Sequence, residues 1–169
     1  LTLRPPEPAE GRAWLQARLS GSDDPDTLLA LAGGAPLAAL RLAREGGLES
    51  RGALFTDLEA VAAGRGDPVA VAGQWLQYDA GEVLDRLHGW LGDMIRLRSA
   101  GNLAPLREPD LGERLHRIAA GVDLATLFDR LARVESARRL AGGPANTQLL
   151  LEDILIGWAA DAHARQRRA

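Results

Sequence analysis

Four prolines constrain this chain more than any other feature. Pro8, Pro25, Pro36 and Pro68 each head a stretch whose apolar residues recur at helical spacing. Proline lacks an amide hydrogen, and its φ is already near the helical value. It therefore suits the first turn of a helix and breaks the interior of one. Glycines close the same stretches at Gly21, Gly33-Gly34 and Gly46-Gly47, where a helix ends most easily in a left-handed residue. The pattern predicts an all-α fold.

The apolar spacing gives the layout. Three short helices are expected first: Pro8 to Leu19, Pro25 to Gly33-Gly34 and Pro36 to Gly46-Gly47, with Ser22-Asp23-Asp24 capping the second. Longer ones follow. Leu54, Phe55, Leu58, Val61 and Ala62 mark one face of a fourth helix. Asp67-Pro68 opens a fifth, with Val71, Trp75 and Leu76 apolar. A sixth spans Glu82 to Ala100, with Leu84, Leu87, Leu91, Met94 and Ile95 inward. After a loop from Asn102 to Pro109, Asp110 caps a short helix with Leu111, Leu115 and Ile118. Asp123 caps another, striped by Leu124, Leu127, Phe128, Leu131 and Val134. Gly142-Gly143-Pro144 breaks the chain before a last helix capped by Asn146 or Thr147. That helix carries Leu149, Leu150, Leu151, Ile154, Leu155, Ile156 and Trp158, apolar almost all round. Such a helix is central in a core or shared with a partner. After Trp158 the sequence turns polar, and the tail is expected to fray.

Composition excludes several functions. With 169 residues, 46% of them hydrophobic, the chain can bury a sizeable core. All 20 basic residues are Arg and net charge is −3. Without Lys no Walker-type phosphate loop is possible, and the basic balance of a nucleic-acid binder is missing. No Cys is present, so thiolate metal sites and disulfides are ruled out, and a reducing compartment fits. No apolar run is long enough to span a membrane. The start lacks a signal-peptide pattern and an initiator Met, and Leu1-Thr2-Leu3-Arg4 reads as the end of a strand. A piece of a longer protein is therefore expected.

The polar candidates each have a plainer reading. His88, His116 and His163 fall on different helices, none at metal-ligand spacing from another His. Asp23, Asp24 and Asp26 lack the spaced ligands of a calcium loop and read as helix capping. Gly33-Gly34 and Gly142-Gly143 end helices and follow no strand. Arg65-Gly66-Asp67 spells an adhesion tripeptide, but Asp67 is better read as the cap before Pro68. Trp14, Trp75, Trp90 and Trp158 read as packing residues. Glu152 and Asp153 point about 100° apart on a helix and read as a polar stripe or as partners of Arg138 or Arg139. No catalytic residue, metal ligand or cofactor is expected.

Two stretches carry a family resemblance. Leu3-Arg4-Pro5-Pro6, Ala13-Trp14-Leu15 and Leu28 through Leu40, with its Gly33-Gly34-Ala35-Pro36-Leu37-Ala38-Ala39-Leu40 core, resemble the lid region of the delta-prime subunit family of the bacterial DNA polymerase III clamp loader. The ending, Asn146-x-Gln148-Leu149-Leu150-Leu151-Glu152-Asp153-x-Leu155, looks like the last collar helix of that family; the middle matches only in helix pattern.

The resemblance implies an AAA+-type lid at 1–46, with residues 1–4 ending a strand of a preceding domain, and a helical collar at 47–169. It implies the bacterial cytoplasm and assembly with the gamma/tau and delta subunits, which load the sliding clamp on primed DNA. DNA is then met only through the complex, and ATP hydrolysis and DNA polymerisation lie in other subunits. ATP-binding relatives place a sensor arginine where Leu37 stands here, so this lid is not expected to sense ATP. Phe128, Leu131, Leu150, Ile154 and Trp158 are the expected interface residues, each worth roughly 1.5–3 kcal/mol when buried. The competing expectation is a stand-alone helical adaptor or regulatory domain unrelated to replication. An α/β domain encoded upstream would separate the two.

Overall fold

The computed structural model describes residues 7–19, 24–44, 47–100, 105–141 and 146–167. Among these the only regular elements are helices. They are α1 (Pro8–Gln16), α2 (Pro25–Leu31), α3 (Pro36–Arg44), α4 (Gly47–Ala62), α5 (Pro68–Trp75), α6 (Ala80–Ala100), α7 (Gly112–Ala120), α8 (Leu124–Leu140) and α9 (Thr147–Gln166), with a 3-10 turn at Pro109–Leu111 before α7. The strand expected at residues 1–4 and the Gly142-Gly143-Pro144 break lie outside the described residues.

The helix ends follow local chemistry. Asp24 accepts hydrogen bonds from the Thr27 amide at 3.0 Å and its hydroxyl at 2.7 Å. Asp67 caps α5 through the Val69 amide, Asp123 caps α8 through the Thr126 amide, and Asn146, rather than Thr147, caps α9 through the Gln148 amide. At the end of α2, Gly33 and Gly34 take positive φ of 61° and 81°. Their amides donate to the carbonyls of Ala30 and Leu29, the paired closure of a Schellman ending.

Four expectations are corrected. The first helix stops at Gln16, short of Leu19, as its last turn tightens around the Leu15 carbonyl. The sixth begins at Ala80, because Asp79 accepts from the Glu82 amide and starts it a half-turn earlier. Asp110 caps nothing: Leu111 holds that position before α7, and the Asp110 carboxylate is turned to Arg51. The tail does not fray after Trp158, because Ala159 and Ala162 are buried and the helix runs on to Gln166.

Two apolar clusters form. In the N-terminal unit, Leu15, Leu28, Ala39 and Leu40 are buried where α1, α2 and α3 meet. The larger cluster runs through α4–α9 and holds Phe55, Leu58, Trp75, Leu87, Trp90, Met94, Leu127, Val134, Leu155 and Trp158. Phe55 and Trp90 meet edge to face at 5.0 Å, the arrangement ring quadrupoles prefer. Helix α6 packs on α7 and α8, while α9 packs on α4, α5 and α8. Gly66 lies against the end of α4, where a Cβ would come within 3.0 Å of Val61. The adhesion-like tripeptide is thus a tight turn followed by a helix cap.

Candidate partner interface

Helices α4, α5 and α8 share the inner side of α9. Leu151, Ile154, Leu155, Trp158 and Ala162 repeat at helical spacing and point inward. Ile154 and Trp158, expected to meet a partner, both belong to this chain's own core, Trp158 at 1% exposure. The Arg130 guanidinium of α8 lies 3.5 Å over the Trp158 ring, donates to the Gly157 carbonyl and pairs with Asp161. This stacked, neutralised arginine closes the end of the bundle.

The other three expected residues divide differently. Leu131 and Leu150 are half-buried and pack on the core. Phe128 is 51% exposed, pointing away from the stripe formed by Leu127 and Val134. Sequence reasoning missed the outer face of α9. Leu149, at 61% exposure, and Ile156, at 48%, lie two turns apart on the side opposite Leu151 and Trp158, with Asp153 and Ala160. The signal was present in Asp153, which marks the solvent side, but apolar residues on both sides hid it.

Between α8 and α9 runs an open groove of about 320 Å³, lined by Ala132, Ser136, Ala137, Leu140, Leu150 and Ile154. Arg133 and Asp153 pair across it at 3.3 Å. Asp153 therefore takes Arg133 rather than the expected Arg138 or Arg139. Arg138 pairs with Asp85, Arg139 donates to the Ser136 hydroxyl, and Glu152 accepts from the Gln148 amide group.

Titratable groups also converge beneath residues 105–111. Arg51 of α4 donates to Glu108 at 2.7 Å and to both oxygens of Asp110 at 2.7 Å. Trp90 Nε1 donates to the same Glu108 oxygen at 2.8 Å. Asp93, fully buried, accepts from the amides of Arg107 and Glu108 and from Arg96. Burial alone would lower the Arg51 pKa, but Asp110 and Glu108 outweigh it and hold it above the ordinary arginine value. Burial pulls the nearby Arg86 below that value, and the charges of Glu108 and Glu82 offset this only in part. With carboxylates and donors saturating one another, this cluster is built to hold backbone in place.

The histidines stay apart. His88 faces Glu135 at 3.6 Å and His116 is exposed; the His163 side chain lies outside the described residues. Among the described residues no group of three or more His, Asp or Glu is placed to hold a metal. Among them also, no single helix is long and apolar enough to cross a membrane.

Comparison with known proteins decides what this bundle is. The family described as DNA polymerase III, delta subunit, C terminal, matches residues 45–160. The chain belongs to that family. The match begins at the boundary between the two apolar clusters and takes in α4–α8 and most of α9. A DNA polymerase III delta-subunit domain places the chain in replication, and the family does not distinguish delta-prime within that description. No curated protein matches the chain. In this member of the delta-subunit family, Phe128 and Leu140 of α8 and Leu149 and Ile156 of α9 are exposed apolar residues.

Proposed function

We propose that this chain is the C-terminal part of a clamp-loader subunit of the delta-prime kind, a non-catalytic member that joins gamma/tau and delta in the bacterial cytoplasm. The family match over 45–160 supports the clamp-loader part of this reading. The α4–α9 bundle then acts as the collar, and α1–α3 as the lid of an AAA+-type domain. Leu37 supports delta-prime over an ATP-binding member. It stands at the head of α3, 73% exposed, where the relatives' sensor arginine would reach the nucleotide. An isobutyl group cannot pair with a phosphate. DNA is contacted through the assembled complex, and hydrolysis belongs to other subunits.

The exposed apolar residues Leu149, Ile156, Phe128 and Leu140 are the surface this reading assigns to neighbouring subunits. Burial of such side chains drives association once ordering costs are met. The test is co-purification of the tagged chain with gamma/tau and delta, followed by size-exclusion chromatography. A joint complex, weakened by Leu149→Asp, is the expected result. Failure of the folded chain to associate with either of them would refute the reading in favour of an independent adaptor.

A further inference from the structure

We propose that the open cleft between α2 and residues 105–107 is a docking site for an acidic peptide segment of another protein, whose carboxylates meet Arg96 and Arg107. The cleft holds about 640 Å³. Ala30, Leu31 and Ala32 line it from α2, Pro105 and Leu106 from the bundle, and the two arginines border it. Both guanidiniums are already supported by α6. The Arg107 side chain lies beside Gly89, its Cδ 3.7 Å from where a Cβ there would stand. Arg96 Nη1 lies 3.5 Å from the same position on Gly92. Side chains held in place in advance lose less freedom when a ligand arrives.

Charge complementarity selects the occupant. Among the described residues lining this cleft there is no Asp or Glu. Arg107 donates its amide to Asp93, and among the described residues its guanidinium has no carboxylate partner. Arg96 uses Nη1 on Asp93 and stays half-exposed. Neither nearby carboxylate reaches the cleft: Asp93 is fully buried, and Glu108, at 3% exposure, is turned to Arg51 and Trp90. A guanidinium takes a carboxylate through two parallel N–H groups, and the walls of Leu31, Leu106 and the alanines suit apolar residues beside it. A nucleic-acid strand fits less well, because no aromatic ring among these residues could stack a base. Beyond Arg107 the neighbouring cleft brings in Glu82 and Asp85, so the acidic part of the segment is confined to the Arg96 side.

The probe is a random dodecamer peptide library selected on the whole chain, with the most enriched peptide then titrated by fluorescence anisotropy and amide NMR. Enriched peptides should carry Asp or Glu beside apolar residues and should shift the amides of Leu31, Leu106 and Arg107. Arg107→Glu should weaken binding roughly tenfold or more, the loss expected for a charge-assisted contact. Arg98→Glu makes the same change in charge on an exposed residue outside the cleft, and should alter binding less than about twofold at physiological salt. If Arg107→Glu does not fold, Ala30→Trp fills the cleft from the exposed side of α2 and should abolish binding. No enriched peptide, enriched peptides without acidic residues, or binding that survives either cleft substitution overturns the proposal. A single-stranded oligothymidylate that shifts the same amides and displaces the peptide also overturns it, in favour of nucleic acid. The measurement uses neither gamma/tau nor delta, so its failure leaves the clamp-loader reading standing.

Discussion

Replacing Glu108 by Ala tests how much of the bundle depends on a buried charge. Glu108 is 3% exposed and receives Arg51 Nε at 2.7 Å and Trp90 Nε1 at 2.8 Å. Removing one partner of a buried ion pair costs roughly 3–5 kcal/mol, because the remaining charge stays desolvated. Here Arg51 keeps Asp110, itself part-exposed, which argues for the lower end. The orphaned Trp90 N–H costs about 1–3 kcal/mol if counted alone, but the two losses share one carboxylate and do not add. The expected cost is therefore about 3 kcal/mol, or a fall of roughly 6–12 °C in Tm for a chain of this length. Urea unfolding followed by circular dichroism measures the first and thermal melting the second. Arg51→Met should be costly alone, and the double substitution should be milder than the sum by about 1–3 kcal/mol. A Glu108→Ala cost under about 1 kcal/mol, or strict additivity with Arg51→Met, would refute the reasoning.

Three further outcomes are expected. Ile154→Ala should destabilise the isolated chain by about 2–5 kcal/mol, whereas Leu149→Asp should change it by less than about 0.5 kcal/mol; the reverse order in urea unfolding would contradict their placement. The Thr27 hydroxyl and amide hold Asp24 below the usual carboxylate value, and the Thr126 amide and hydroxyl do the same for Asp123. A depressed pKa in the folded state means that each cap's contribution is complete above the ordinary value of 3.8 and is lost as pH falls below it. The stability gap between Asp123→Ala and the parent should therefore hold at neutral pH and close in acid, as thermal melts across pH would show. Asp67→Ala should cost about 0.5–2 kcal/mol and Asp67→Ser much less, since a serine hydroxyl accepts from the Val69 amide in the same way.

The helices were legible because their ends are decided locally. Asp24, Asp67 and Asp123 each stand beside the amide they cap, and Gly33 can adopt a φ that other residues resist. Where a side chain had a distant competitor, local reading failed. Asp110 has the composition of a cap, but Arg51, far back in the chain, offers it a charged partner. Asp153 stands near Arg138 in sequence, but the crossing of α8 and α9 brings Arg133 to it instead.

The candidate surface shows the same division. Sequence alone determined that the chain is helical, that a proline-headed three-helix unit precedes a longer bundle, and that α9 is apolar on every side. Those properties depend on residues within one or two turns of each other. Only the tertiary structure decided that Trp158 and Ile154 face inward while Leu149 and Ile156 face out. An apolar side chain gains about as much from burial in any direction, so its own sequence gives no orientation. The directions in which α4, α5 and α8 approach α9 supply it.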